Sequence, residues 1–529
     1  MSKVITAQQA VDLIRDGDIF AVDGFKCSAI PEEIFVRLRA RYDATGTPKN
    51  LTFFSAPSMG AEGRGTDRLG VEGLIGKFIC SHAAISPSIS ALAAENKLQC
   101  YMIPMGNCVR MLQAAAGGEP GIITHVGLNT FADPLIEASK ANDAAKASDE
   151  TLVRRIQIDG RDYLYYPAIH PNICFIKASF ADANGNTSFE REAMHLAQFE
   201  LAAATHNSGG TVVVVVDQLA QAGALDPRNV KIHGFMVDYV VVTAPEYAGQ
   251  SYATGNQYHG EYCGDFKLPV DSLPPIPLDA RKVCGRRGAL ELPGQEGALI
   301  NLGVGVPEAV SAVAAEEGLS EQLTFSIEAG TIGGVPLGGE ALGITVNPSA
   351  IYRMWDMLQV YGGGGIDAAF LGAAEIDQEG NVNVSKFNGR IIGPGGFIDI
   401  AQNAKKICFM GTFTAVGLKE HVENGRLVID TEGRKNKFKR QVEQITFSGK
   451  YALETGQTVL YITERAVFRL TQAGVALIEI APGVDLERDI LAHMDFAPII
   501  ADDLAVMDAR IFREEPMGLT FRPGKGGPT

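Results

Sequence analysis

The chain is predicted to be an α/β protein with open sheets, and three observations carry that expectation. Short, continuously apolar, β-branched runs such as VVVVVDQ at 212–218 and VDYVVVTAP at 237–245 have the character of strands buried on both faces of a parallel sheet. Amphipathic helical patterns alternate with such runs along the whole chain. The same strand, turn and helix order also occurs twice, so two similar α/β domains arising from an internal duplication are expected.

Taken in order, Thr6 with Gln9 forms a capping box on an amphipathic helix at the N-terminus. A turn at Gly17-Asp18 leads to an apolar run at 19–22, then Gly24, then Pro31-Glu32 opening a helix, then LTFFSAP from Leu51. A helix is expected over EREAMHLAQFELAAATH at 190–206, before the two apolar runs. Four prolines between 269 and 277 fall in a stretch suited to neither a helix nor a central strand, which predicts a linker over 269–285. After it come ALINLGVGVPEAV, with Pro307-Glu308 opening a helix, and LTFSIEAG from Leu323, repeating the N-terminal order. Strands are expected at DAAFLGAAEID, KKICFMGTF and 457–463, a more helical, acidic region over 480–517, and a loose Gly- and Pro-rich tail. The division expected is 1–268, the linker at 269–285, 286–519, and a tail at 520–529. A second repeated pair supports the duplication: DANGN from Asp182 stands about as far before VVVVVDQ as DQEGN from Asp377 stands before KKICFMGTF.

At 529 residues the chain exceeds the size at which one core keeps growing, and with 46% hydrophobic and 20% charged residues it can bury two. A net charge of −16, spread rather than blocked into tails, argues against nucleic acid or an anionic membrane surface as partner. Eight cysteines, none in a CxxC pair or at zinc-ligand spacing with histidine, read as reduced thiols, and no metal site is indicated. With no hydrophobic signal core and no run long enough to span a bilayer, a cytoplasmic location is expected.

The chemistry is expected at Glu328. The run LTFSIEAGTIGG delivers this one carboxylate from a strand end into a turn containing Gly330, Gly333 and Gly334, and strand ends are where α/β proteins bind and react. Alone, such an acid is more often solvated or a helix cap. Aligning the repeats, however, places Glu328 opposite Ser55 or Ala56, so one half carries the acid and the other does not. A second glycine cluster, GPGGF at 393–397, precedes the helical pattern IDIAQNAKK and is absent from the first half. Its amides are expected to hold a phosphate or a developing oxyanion. The run Gly362 to Gly365 reads as a flexible loop, while PMGNCVRM at 104–111 and HVGLNTFADP at 125–134 are candidate pocket linings.

Glu328 in SIEAGTIGGVP, GPGGFIDIA, TERAVFRL at 463–470, EIAPGVDLERDIL at 479–491 and MDARIFREEPMGL at 507–519 together resemble the family I coenzyme A transferases. The likeness is to the single-chain acetate or propionate branch and runs from about residue 3 to 519. It implies two similar three-layer domains of the CoA-transferase (NagB/RpiA-like) kind, and an acyl-CoA:carboxylate CoA-transferase in which Glu328 becomes a glutamyl-CoA thioester. It implies oxyanion donation by Gly395 and Gly396, with Gly393 shaping the loop. It also implies coenzyme A as substrate and covalent intermediate, no tightly bound cofactor, acyl-CoA and small carboxylates as partners, and a homo-oligomer, dimer or tetramer.

The chain departs from the family pattern in two places. Relatives often carry a glutamine where this chain has Met105, so either Asn107 takes that donor's place or the donor is missing. Lys26 and Cys27, after Phe25, stand where smaller residues are usual, which leaves open whether the acyl group is acetate or propionate. The expected pocket is thus Phe25, Lys26, Cys27, Met105, Gly106 and Asn107. An acyl-CoA hydrolase on the same scaffold is the alternative activity. A nucleotide-binding oxidoreductase is disfavoured by the lack of a GxGxxG opening a helix, and a noncatalytic CoA-binding protein by the intact Glu328.

Overall fold

The computed structural model describes residues 3–253, 255, 258–269 and 276–521. They form two compact units, each discontinuous in sequence. One comprises Met1–Leu268, Glu328–Gln359 and Asn388–Asp399, and the other Pro269–Ile327, Val360–Phe387 and Ile400–Thr529. The expected linear division is therefore corrected: the segments carrying Glu328 and the GPGGF loop pack into the unit built from the first half. Main-chain hydrogen bonds hold them there, from Ala83 N–H to the Ile392 carbonyl (2.7 Å) and from Met354 N–H to the His195 carbonyl (2.7 Å).

The first unit is built on parallel strands β1 (Val4–Ile5), β2 (Ile19–Asp23), β3 (Leu51–Phe54), β4 (Ile75–Cys80), β5 (Gln99–Met102), β6 (Ile173–Asp182), β7 (Thr211–Ala220) and β8 (Tyr239–Val242). Their order across the sheet is β1-β8-β7-β6-β2-β3-β4-β5, and every neighbouring pair is parallel. The valines at 212–216 are fully buried, as continuous β-branched runs in a covered parallel sheet must be. Phe175, Phe20, Phe53 and Phe78 make a row of rings across four adjacent strands, with centroids 5.5, 6.1 and 5.0 Å apart. Such pairs contribute about 1 kcal/mol each beyond the area they bury.

Helix α1 (Ala7–Asp12) starts at the expected Thr6–Gln9 capping box. Helix α2 (Glu32–Thr45) buries Ile34, Phe35 and Leu38 on one face and ends at Gly46, whose φ of 70° stops it. The first unit also holds α3 (Met105–Gly117) and α4 (Gln198–Asn207). The helix expected over 190–206 begins only at Gln198, because tertiary partners claim what precedes it. Asp23 accepts the Ala197 N–H (2.8 Å), Ser179 accepts the Arg191 N–H (3.0 Å), and Glu192 accepts from the Tyr252 hydroxyl (3.0 Å).

The second unit repeats the plan with β9 (Ala298–Leu302), β10 (Leu323–Ser326), β11 (Ala368–Gly372), β12 (Lys406–Met410) and β13 (Thr458–Ile462). Their order, β10-β9-β11-β12-β13, is all parallel and matches β3-β2-β6-β7-β8 of the first unit, so the duplication extends to topology. The repeated Asx turns also fold alike: Asp182 accepts the Asn184 and Asn186 amides, and Asp377 those of Glu379 and Asn381. Beyond β13 the sheet continues through β14 (Ala466–Thr471), β15 (Gly474–Ile480) and β16 (Ile499–Val506).

Two further expectations are corrected here. The region 480–517 is mostly extended and irregular rather than helical: Arg465 donates to the Asp489 carbonyl (3.0 Å), tying down a short π turn, and β16 pairs along β15. The linker is shorter than 269–285, because α5 (Ala280–Ala289) starts at Asp279, whose carboxylate accepts the Lys282 N–H (3.0 Å). Residues 270–275 and 522–529, including nearly all of the expected tail, lie outside the described residues. Among the described residues no helix is long and apolar enough to cross a membrane.

Candidate active site

Loops at the ends of two parallel strands of the first unit meet the GPGGF loop, which lies against Glu328. After β4 come Ser81 and His82, and after β5 come Pro104 and the first residues of α3. Gly395 ties the two together, donating its N–H to the Ser81 carbonyl (2.8 Å) and accepting the Met105 N–H at its own carbonyl (3.1 Å). Gly393, at φ 91°, lies against Ser81 and His82 so tightly that a Cβ would come 2.4 Å from the Ser81 oxygen. Only glycine fits there.

The Glu328 side chain lies along Gly396: a Cβ on that glycine would stand 3.0 Å from Glu328 Cγ and 3.5 Å from Cδ. Glu328 is half-buried, with its carboxylate closely surrounded by protein. Burial raises its pKa above the usual range, offset in part by its own main-chain N–H. Among the described residues no lysine, arginine or histidine pairs with it. A carboxylate so placed is more basic than one in water and is not neutralised by a cation.

The loop offers fewer free amides than expected. The Gly395 N–H is spent on Ser81 and that of Phe397 on the Pro394 carbonyl, while the Gly396 N–H has no acceptor among the described residues. The helix after the loop, α6 (Phe397–Ala401), is a single turn. Of the two expected donors, then, Gly396 alone is available, and Gly395 instead fixes the loop to β4.

The expected pocket residues divide. Met105 and Gly106 adjoin the loop, and the Gly106 N–H donates to Asp399 (3.2 Å). Asn107 turns away, donating to the Val126 carbonyl (3.2 Å), and so does not replace a missing donor. Cys27 is fully buried with its thiol on the Gly60 carbonyl (3.3 Å), and therefore lines no open pocket. Lys26 takes a positive φ of 49° and places its charge within reach of His82, while Phe25 packs at Gly343.

Two residues of the site were missed in the sequence. Asp399 is 4% exposed; burial pushes its pKa up to about 7, against the Gly106 hydrogen bond and Arg110, and the Glu328 charge raises it further. Arg110 in turn sits 5.9 Å from the Trp355 ring. His82 lies beside Gly393 and Gly395, with its pKa lowered to about 4 by burial and then by Lys26, so its ring is neutral. The available signals were an acid two residues past GPGGF and a histidine just past a buried strand. Among the described residues no group of acids, histidines and cysteines is placed to hold a metal.

Comparisons with known proteins show which family the chain resembles. Residues 4–243 match the family model described as coenzyme A transferase. The chain is 43% identical over 520 residues to the acetate CoA-transferase YdiF of Escherichia coli K12, covering 98% of this chain and 96% of the relative. It is 41% identical over 531 residues to the caffeate CoA-transferase of Acetobacterium woodii, covering 99% and 100%. Among solved structures, the acyl-CoA transferase YdiF of E. coli O157:H7, in a thioester complex with CoA, matches with a TM-score of 0.91 at 41% identity, over 99% of this chain and 98% of that one.

Proposed function

Because the chain belongs to the coenzyme A transferase family, we propose that it transfers CoA from an acyl-CoA to a carboxylate through a covalent thioester on Glu328. The observation that carries this reading is the Glu328 carboxylate laid along Gly396, whose N–H has no protein acceptor among the described residues. Likeness to a relative solved as a CoA thioester supports it.

In the cycle, a Glu328 oxygen attacks the acyl-CoA carbonyl, the C–S bond breaks, and CoA thiolate leaves a mixed anhydride. The thiolate then attacks the glutamyl carbonyl and expels the donor acid as its carboxylate, leaving CoA on Glu328. An acceptor carboxylate runs the same steps in reverse and departs as the new acyl-CoA, which restores the free side chain. No proton is consumed overall. Burial makes Glu328 a more basic nucleophile, and in this reading the Gly396 amide, which has no protein acceptor among the described residues, donates to the oxyanion that forms on the glutamyl carbonyl. Such a donor contributes about 3 kcal/mol. Binding energy from the distant nucleotide and pantetheine offsets the cost of forming the anhydride.

Replacing Glu328 by Gln should abolish exchange between acyl-CoA and a free acid while the protein stays folded. Wild-type protein given acyl-CoA without acceptor should gain the mass of CoA less water on the peptide containing Glu328. Transfer that survives in Glu328→Gln, or wild-type turnover with no adduct, would contradict the assigned nucleophile. Full-rate release of free acid with no acceptor would indicate a hydrolase instead.

A further inference from the structure

Helix α3 begins without a cap of its own. Pro104, the residue before it, offers no side-chain acceptor to the open amides of the first turn. The first two of those amides are met instead by the segment that bears the glycine loop. Met105 donates to the Gly395 carbonyl (3.1 Å), and Gly106 donates to Asp399 Oδ2 (3.2 Å) across 293 positions of sequence. These two bonds bracket Gly396. Gly395 immediately precedes it, and Asp399 follows three residues later on the single turn α6.

The approach of Asp399 to α3 leaves no spare room. A Cβ on Gly106 would collide with Asp399 Oδ1 and stand 3.1 Å from its Cγ, so glycine is what admits the carboxyl group there. The charged groups facing Asp399 are Arg110, on the next turn of α3, and Glu328. Cys108 of the same helix and Tyr166 lie within electrostatic reach as neutral groups, their own pKa values raised by burial. Burial of Asp399 holds its pKa at about 7, so near neutral pH a large part of it is uncharged acid that still accepts the Gly106 N–H.

Resting on the transferase reading above, we propose that Asp399 is a positioning residue for CoA transfer, tying the glycine loop to the start of α3 and so holding Gly396 against the Glu328 side chain. With both bonds in place Gly396 is fixed from either side. Without the Asp399 bond it is fixed only through Gly395, and a donor that must reorient during the reaction stabilises the oxyanion less than one already set. A displacement of about 1 Å is enough to cost about 10²-fold in rate.

The test measures exchange of labelled acetate into acetyl-CoA by the full chain. In Asp399→Ala, kcat should fall about 10- to 100-fold with the acetate KM within about threefold of wild type, and Asp399→Asn, which keeps an acceptor for Gly106, should recover most of that loss. Gly106→Ala displaces the carboxyl group with Asp399 still present and should lower kcat in the same way, a second route should Asp399→Ala not fold. In the Gly396→Ala background, Asp399→Ala should cost at most about threefold more, because a residue that acts through Gly396 has little left to lose. Losses that multiply in the double variant, an effect on KM alone, or an Asp399→Asn as slow as Asp399→Ala overturns the proposal. Hydrogen exchange gives a readout that needs no activity: the amides of Met105, Gly106 and Gly395 should exchange about tenfold faster or more in Asp399→Ala and stay protected in Asp399→Asn. Unchanged exchange overturns the proposal whatever the kinetics. Faster exchange in a protein whose wild type transfers CoA to no acid keeps the tie between loop and helix and removes the transferase.

Discussion

At the scale of single residues, the site depends on how closely Glu328 lies against Gly396. Gly396→Ala puts a methyl group 3.0 Å from Glu328 Cγ, so the Glu328 side chain must shift. Steady-state kinetics should show kcat reduced about 10²-fold, with a melting temperature close to wild type. Asp399 supplies a pH signature. Its folded pKa of about 7 stands above the ordinary 3.8, so between those values the native protein keeps a proton that the unfolded chain has lost. Stability from this group is therefore greatest at low pH, falls as pH rises toward 7, and levels off above it. Asp399→Asn keeps an acceptor for the Gly106 N–H and removes that slope. Its advantage over wild type in urea unfolding should grow between pH 5 and pH 8 by a few kcal/mol, on the order of 2–4. Glu328 and the glycine loop were legible in the sequence because each is a local pattern placed in one repeat only. Asp399 and His82 were not, because what defines them is distant along the chain: Gly106 and Asp399 are 293 residues apart.

At the scale of elements, legibility followed the strength of the local pattern. The valine run at 212–216 could be little other than a buried strand, and the Thr6–Gln9 pair named its helix start. The stretch 190–197 has helical periodicity, yet Asp23 and Ser179 bind its main chain and Glu192 reaches Tyr252, so long-range contacts override propensity. Asp279 was read as part of a linker, although it is a good N-cap directly before a helix. Asp279→Ala should cost about 1 kcal/mol, read as a lower urea midpoint with unchanged slope. An unchanged midpoint would mean that the cap contributes nothing to α5.

For the whole molecule, the duplication was the most legible feature, and the matched strand orders of the two sheets extend it from sequence to topology. What the linear sequence concealed is that the first unit is completed by Glu328–Gln359 and Asn388–Asp399. A fragment of residues 1–268 lacks the groups that bond Ser81, Ala83 and Gly106, and it leaves open the core places of Ile391 and Ile398. It should bind a hydrophobic dye and melt below the full chain; a fragment as stable as the whole would contradict that completion. The same discontinuity governs how the protein emerges during synthesis. A ribosome adding about 5–20 residues per second needs roughly ten seconds to make residues 269–399, and throughout that interval the nascent N-terminal half waits unfinished, a client for chaperones until its closing pieces leave the exit tunnel.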